Sequence, residues 1–262
     1  MSSPNVSDLF QTAAEEGELS AGTMQVLQVA DIGAKIQGAL GIGVDQFESS
    51  ETTLVTLMPD DSGSIRFANN TQLMRDGHNL VLDSLSDTKQ ADNILAMTRY
   101  LNGEVLFPYG PLASAVRMDQ GNYNPNQGTP LYDESVVLLG AVLAKAQEFA
   151  DAGIMARTIT LLISDGADQH SRHHGAADVA KLVADMLSQE RHIIAAMGID
   201  DGHGTDFHQI FAAMGIPAEW ILTPGTDASE IRAAFNTFSK SAVRASQGAG
   251  SFSQTAMGGF GA

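Results

Sequence analysis

The chain has 262 residues and is 44% apolar, enough for one large α/β domain with a real core or for two small domains. Its 14 Lys and Arg stand against 31 Asp and Glu, a net charge of −17; this excludes a phosphate-tracking nucleic-acid binder and a docker on anionic membrane. There is no cysteine, so disulfides, zinc–thiolate centres and cysteine nucleophiles are out, and any metal must take oxygen or histidine ligands.

The first residues, "MSSPNVSDLF", show neither a positive n-region nor an apolar h-region. No stretch approaches the ~20 apolar residues of a membrane span, so a cytoplasmic protein is expected. Asp8 to Leu40 reads as helical, with Val26, Val29, Ala30, Gly33, Ile36 and Leu40 on one face. Residues 1–48 are therefore expected to form an N-terminal helical extension covering a sheet edge, and "GIGVDQFESSE" a connector.

Strands and helices then alternate. "TLVTLM" (Thr53–Met58) is a short apolar run, as in a strand covered on both faces. Leu73, Met74, Gly77, Leu80 and Val81 follow at helical spacing. "NILAMTRYL" and "GEVLF" flank a Gly-containing turn, which predicts a hairpin at one sheet edge. Beyond the loop "RMDQGNYNPNQGTP", a helix points Val136, Leu139, Leu143, Ala146 and Phe149 inward. "TITLLIS" (Thr158–Ser164) is the strongest strand signal, and its helix carries Val179, Leu182, Val183, Met186 and Leu187. "HIIAAMGI" is a strand, Phe207, Ile210, Phe211 and Met214 mark a short helix, and "EWILTP" a last strand, with Trp220 in the core. Ile231, Ala234, Phe235, Phe238 and Ala242 make a final amphipathic helix, and residues 247–262 read as a flexible Gly- and Ser-rich tail. The expected fold class is α/β: a doubly wound, mostly parallel sheet with helices on both faces.

Ligands in such sheets bind beyond the carboxyl ends of strands, where strand order reverses. Three loops qualify: Asp60-Asp61-Ser62-Gly63-Ser64 after the first core strand, "GTPLYDE" (Gly128–Glu134) opening a helix, and "SDGADQHS" (Ser164–Ser171) after "TITLLI". They offer two carboxylates, Asp60 and Asp165, and three hydroxyls, Ser62, Ser64 and Thr129. This hard, doubly negative oxygen set suits Mg²⁺, with Mn²⁺ or Ca²⁺ as alternatives, and leaves the ion seeking one more anionic oxygen. Alternation along a strand end would turn Asp60, Ser62 and Ser64 the same way, with Gly63 giving the chain freedom to bend. Other readings stay open: Ser64 as a helix N-cap, Thr129 as an N-cap before Pro130, Asp165-Gly166 as a turn.

"LVTLMPDDSGS", "GTPLYDE" and "LLISDG" together resemble a von Willebrand factor A domain with a metal-ion-dependent adhesion site, over roughly Glu51 to Gln247. Pro59 before Asp60 departs from the family pattern and is expected to shift the strand end without removing a ligand. The stretch from Ile216 to Gln247 resembles stand-alone bacterial members. The resemblance implies a domain over residues 49–246, one antiparallel edge strand, and a site built on Asp60, Ser62 and Ser64, with Thr129 and Asp165 binding directly or through water. It also implies a non-catalytic module whose protein partner completes the shell with an Asp or Glu; a MoxR-type AAA+ ATPase or another stress or conflict component fits, by family analogy.

The alternative is a Mg²⁺- or Mn²⁺-dependent hydrolase of phosphate esters, with Asp61 and His170 the only nearby bases. Asp-Ser-Gly-Ser also resembles the trypsin-like nucleophile loop, but the first histidine, His78, follows Ser62. His170, His173 and His174 read as solvated loop residues, and Asp200–Asp206 as a turn near the rim. The acidic "EEGE" (Glu15–Glu18), or the tail, could also serve as an internal ligand to the metal.

Overall fold

The computed structural model describes residues 5–28, 32–200, 202 and 204–261. Strands β1 (Glu51–Met58), β2 (Ile94–Arg99), β3 (Val105–Pro111), β4 (Met155–Ser164), β5 (His192–Gly198) and β6 (Ile221–Leu222) form one sheet in the order β3-β2-β1-β4-β5-β6. Only the β2–β3 pairing is antiparallel, so the expected hairpin closes one edge. β1 and β4 are central and buried along nearly their whole length, which is why their sequences are continuous apolar runs. Successive strands leave β1 in one direction and β4 in the other, so the switch point lies between these two.

Helices α1 (Val6–Glu15), α2 (Ala21–Leu27), α3 (Ile32–Gln37), α4 (Gly63–Phe67), α5 (Thr71–Ser86), α6 (Leu131–Asp151), α7 (Ala176–Ser188), α8 (Phe207–Ala213), α9 (Ala228–Ala245) and α10 (Ala249–Gly258) complete the chain. α5 packs against α9 and α6 against α7. At Gly77 an added Cβ would come within 2.2 Å of the Phe235 ring, so the glycine lets α5 and α9 approach closely. The predicted stripes on α7 and α9 hold, whereas Leu80 on α5 is 37% exposed because the buried face there runs through His78, Val81 and Leu82. Among the described residues no helix is long and apolar enough to cross a membrane.

Two expectations are corrected. The N-terminal segment is broken into three short helices, with Gly17 at positive φ and Ser20 capping α2. It covers α6 and α7 instead of a sheet edge, and Val29 and Ala30 of the predicted stripe lie outside the described residues. An added Cβ on Gly140 would meet Ile36 at 2.7 Å and Leu27 at 3.0 Å, so that glycine admits the extension. As a result 17 of the 21 residues of α6 are buried, not one face alone. The tail is also ordered: α10 buries Phe252, Trp220 donates to the Ala256 carbonyl at 3.3 Å, and Phe260 packs edge-on against Trp220. Apolar residues spaced through a Gly- and Ser-rich stretch are enough to dock it.

His192 sits buried between Thr158 and Gln189, and burial lowers its pKa from 6.5 to about 3. His78, buried against Thr98, falls to about 4 for the same reason. Both fold as neutral rings, so their contribution is complete above the unfolded value and is lost as pH falls below it. Each adds a slope of about 1.4 kcal/mol per pH unit. The buried carboxyls Asp60 and Asp61, with raised pKa values, act in the opposite direction, so the difference between wild type and variant is what isolates one ring: from pH 6 toward pH 4 the urea midpoint of His192→Gln should fall less, or rise more, than that of the wild type. An unchanged slope in the variant would refute the assignment.

Candidate metal centre

The loop after β1 and the loop after β4 meet at the switch point. β1 ends at Met58, directly before Pro59, as expected from that proline. In the parallel ladder Met58 lies opposite Leu162, which carries Asp60 to the level of Ser164 and Asp165. Asp60 Oδ2 there accepts from Ser164 Oγ at 2.9 Å and from the Asp165 amide at 3.2 Å, and Oδ1 accepts from the Ser62 amide at 2.7 Å. The carboxyl is wholly buried, and desolvation raises its pKa in spite of these donors.

Ser62 Oγ lies 2.8 Å from Ser64 Oγ, and Asp165 Oδ1 lies 3.2 Å from the first and 2.7 Å from the second. Strand alternation does not explain this convergence, because the strand has already ended. Ser62 occupies the N-cap position of α4 without capping it, and Ser64 lies one turn-start later inside the helix. Both hydroxyls are turned toward Asp165, so the N-cap reading of Ser64 is overturned. Gly63 does not adopt a left-handed conformation either. The space above it is taken by the Phe67 ring, 3.5 Å from where a Cβ would stand.

Thr129 lines the same open cleft of about 540 Å³ with Ser62, Ser64 and Asp165. It is not an N-cap: Pro130 holds that position, and Ser171 Oγ from the β4 side accepts the amides of Tyr132 at 3.1 Å and Asp133 at 3.0 Å. Its backbone is tied across instead. The Thr129 amide donates to His170 Nδ1 at 2.9 Å, and its carbonyl accepts from Gln169 at 3.0 Å. All five predicted residues are thus brought to one place.

Sequence reading missed the residues that hold the loops. Tyr123 donates from its hydroxyl to the Asp60 carbonyl. Asp61 accepts from the Asn102 amide at 3.0 Å, and its carbonyl takes those of Asn126 and Gln127. Gln127 forms a bridge beside Ser62. Nothing in their spacing distinguishes them from ordinary loop residues; only the partner across the fold does. His170 and His173 are exposed, as expected, whereas the His174 side chain is not. His170 binds the Thr129 amide, and His174 Nδ1 lies 2.9 Å from Asp133, which also accepts three backbone amides of the β4 loop. Asp200–Asp206 is a turn, with Asp200 accepting from Gly202 and Asp206 capping α8; Asp201 and His203 lie outside the described residues.

The donor set fits a small hard cation. Oxygens at about 2.0–2.1 Å from an octahedral ion sit about 2.9 Å from one another. The observed spacings of 2.8, 2.7 and 3.2 Å scatter around that edge length. Among the described residues no group of three or more His, Cys, Asp or Glu is arranged around an ion, so the hydroxyls are indispensable to any such site. The "EEGE" segment does not reach it: Glu18 pairs with Arg191, just before β5, and Glu16 with Gln147 near the end of α6. Both lie at the amino-terminal edge of the sheet. The tail, on Trp220 just before β6, lies at that edge too.

No family profile matches the sequence, and no curated protein matches it. Among solved structures it is similar to the pilus adhesin SpaC from Lactobacillus rhamnosus GG in its open conformation, with a TM-score of 0.54, 13% identity, and 76% of this chain covered. A second structure of SpaC gives a TM-score of 0.53 at 12% identity over 76% of this chain. This chain spans 31% of the adhesin's length in both. The vWF domain of the type V pili tip protein Mfa5 from Porphyromonas gingivalis has a TM-score of 0.47 at 10% identity, covering 74% of this chain and 95% of that domain. The likeness to SpaC is one of fold, which in this chain is a mostly parallel α/β sheet with a single antiparallel edge strand.

Proposed function

We propose that this chain is a non-catalytic, divalent-metal-dependent protein-interaction module of the cytoplasm. Asp60, Ser62, Ser64, Thr129 and Asp165 hold Mg²⁺, directly or through water, and a partner's Asp or Glu completes the shell. The observation that carries this reading is the triangle of Ser62 Oγ, Ser64 Oγ and Asp165 Oδ1 at octahedral-edge spacing, open to a cleft. The bound ion supplies a positive charge that an incoming carboxylate can ligate. The chain's own residues fix its place: Ser164 and two backbone amides orient Asp60, and Tyr123 and Gln127 hold the loop that carries the serines. Two carboxylates against a doubly charged ion leave no net charge at the centre, so an anionic ligand is not repelled.

The hydrolase reading finds no base in place. Asp61 is buried, does not line the cleft, and has its carboxylate held by the Asn102 amide. His170 has Nδ1 committed to Thr129. By family analogy the partner is a MoxR-type AAA+ ATPase or another stress- or conflict-system component.

Co-purification from the native host tests the proposal. The partner should be retained in Mg²⁺, released by EDTA, and reduced about tenfold or more by Ser62→Ala or Thr129→Ala with the fold intact. Retention that ignores both chelator and substitutions would overturn it.

A further inference from the structure

α4 begins at the serine loop and ends at Phe67, so Ser64 and Phe67 are neighbours one turn apart on the same short helix. Phe67 is 78% exposed, and among the described residues no other Phe, Tyr or Trp is exposed. Its ring does not swing away from the centre: it leans back over Gly63 and lines the cleft with Ser62, Ser64, Thr129 and Asp165. Arg66 packs over the same ring, 5.2 Å from its centroid, and brings a cation to the rim of a chain whose net charge is −17.

The same cleft is lined by His170. Its Nδ1 accepts the Thr129 amide, and an acceptor nitrogen carries no proton. The neutral ring must therefore hold its proton on Nε2. The ring lies close over Gly128, where an added Cβ would come within 2.8 Å of it. The exposed side of His170 thus offers an N–H donor at the lip of the cleft.

An exposed apolar ring and an N–H donor in one cleft, with a cation packed on that ring, complement a particular kind of segment. We infer that the partner presents its acidic residue beside a large apolar one, the apolar side chain packing on Phe67 while the Nε2–H of His170 donates to the carboxylate. Aromatic rings at the centre of a contact carry a disproportionate share of binding energy once water is excluded. Phe67 therefore selects among acidic segments that the metal alone would treat alike. This inference rests on the proposed metal-dependent site.

A random peptide library displayed on phage, selected on the Mg²⁺-loaded full chain and eluted with EDTA, separates the two ideas. The wild type should enrich Asp or Glu within one or two positions of Phe, Leu, Ile, Met or Trp. Phe67→Ser should keep the acidic preference and lose the apolar one, with affinity for the best wild-type peptide lowered about tenfold, or about 1.4 kcal/mol. Manganese binding by this variant checks that its loop is formed. His170→Phe should weaken that peptide more than it weakens Mn²⁺. Acidic peptides without an apolar neighbour, or a Phe67→Ser profile equal to the wild type, overturn the inference and leave the metal-dependent site standing. Equal losses of peptide and Mn²⁺ in His170→Phe overturn the donor role. If the wild type yields no EDTA-eluted peptide, the site reading itself falls and this inference with it.

Discussion

Manganese at about a hundredfold excess over its dissociation constant is expected to raise the unfolding free energy by about 2.7 kcal/mol. For a chain of this size that is a rise of about 5–10 °C in the midpoint of thermal unfolding. The size of the effect follows from where the ligands come from. Ser62 and Asp165 are separated by 103 positions and meet only because β1 and β4 are neighbours. The unfolded chain has no comparable site, so the ion's affinity is almost wholly affinity for the native state. Asp165 Oδ1 accepts from both serine hydroxyls. An ion bound there as proposed would gather the same oxygens and offset the burial of Asp60, whose carboxyl is out of contact with water. Asp165→Asn tests this without emptying the space, because its amide oxygen can still accept the two hydroxyls. The variant should melt normally in EDTA and gain little from Mn²⁺. A wild type whose midpoint does not move with Mn²⁺ or Mg²⁺, or a variant that gains as much as the wild type, would show that no ion binds between these loops.

The sheet, and the loops that bring together the five residues proposed as ligands, were legible in the sequence because each is specified locally. A strand buried on both faces must be an apolar run, and a loop at its carboxyl end must carry the polar groups. The Thr53–Met58 and Thr158–Ser164 runs and the loops behind them satisfied that without reference to the rest of the chain. What failed was everything that depends on a distant partner. The hydrophobic periodicity of α6 marks one face, yet its other face is covered by α1 and α3, and the covering reaches charged groups: Lys145 is fully buried, donates to the Ile42 carbonyl and pairs with Glu148 at 2.8 Å. A lysine and a glutamate three positions apart look like a solvated helix face until the extension is in place. Capping failed in the same way. Thr129-Pro130 is a sound local signal for a helix start, but Ser171 supplies the cap from across the fold and leaves the threonine facing the cleft. The serine motif converged for a reason other than the one the pattern suggested, since a helix start, not a strand end, aims Ser62 and Ser64.

The same dependence on distant partners sets the second large effect. Glu134, in the first turn of α6, pairs with Arg99 at the carboxyl end of β2 and with Lys35 of α3 at 3.2 Å. Arg99 is 1% exposed, and its Nε is buried with no hydrogen-bond partner. Gly103, at positive φ in the β2–β3 turn, leaves the room: a Cβ there would stand 2.9 Å from the guanidinium and 3.1 Å from the Glu134 carboxylate. Glu134→Ala strands a guanidinium in the interior and should cost about 3–5 kcal/mol by urea denaturation. Lys35→Ala should cost far less, because that lysine side chain is half exposed and remains hydrated. The pair Arg99→Met with Glu134→Leu should recover most of the loss, since it removes both charges and keeps the volume. This effect reaches the proposed metal centre through the backbone. Thr129 lies five positions before Glu134, and the ion pair anchors the helix start that holds its loop in place. Glu134→Ala should therefore also weaken Mn²⁺ binding, while the double variant restores stability and, with it, the position of Thr129. A cost below about 1 kcal/mol for Glu134→Ala would mean that water reaches Arg99 and that the pair does not anchor the loop.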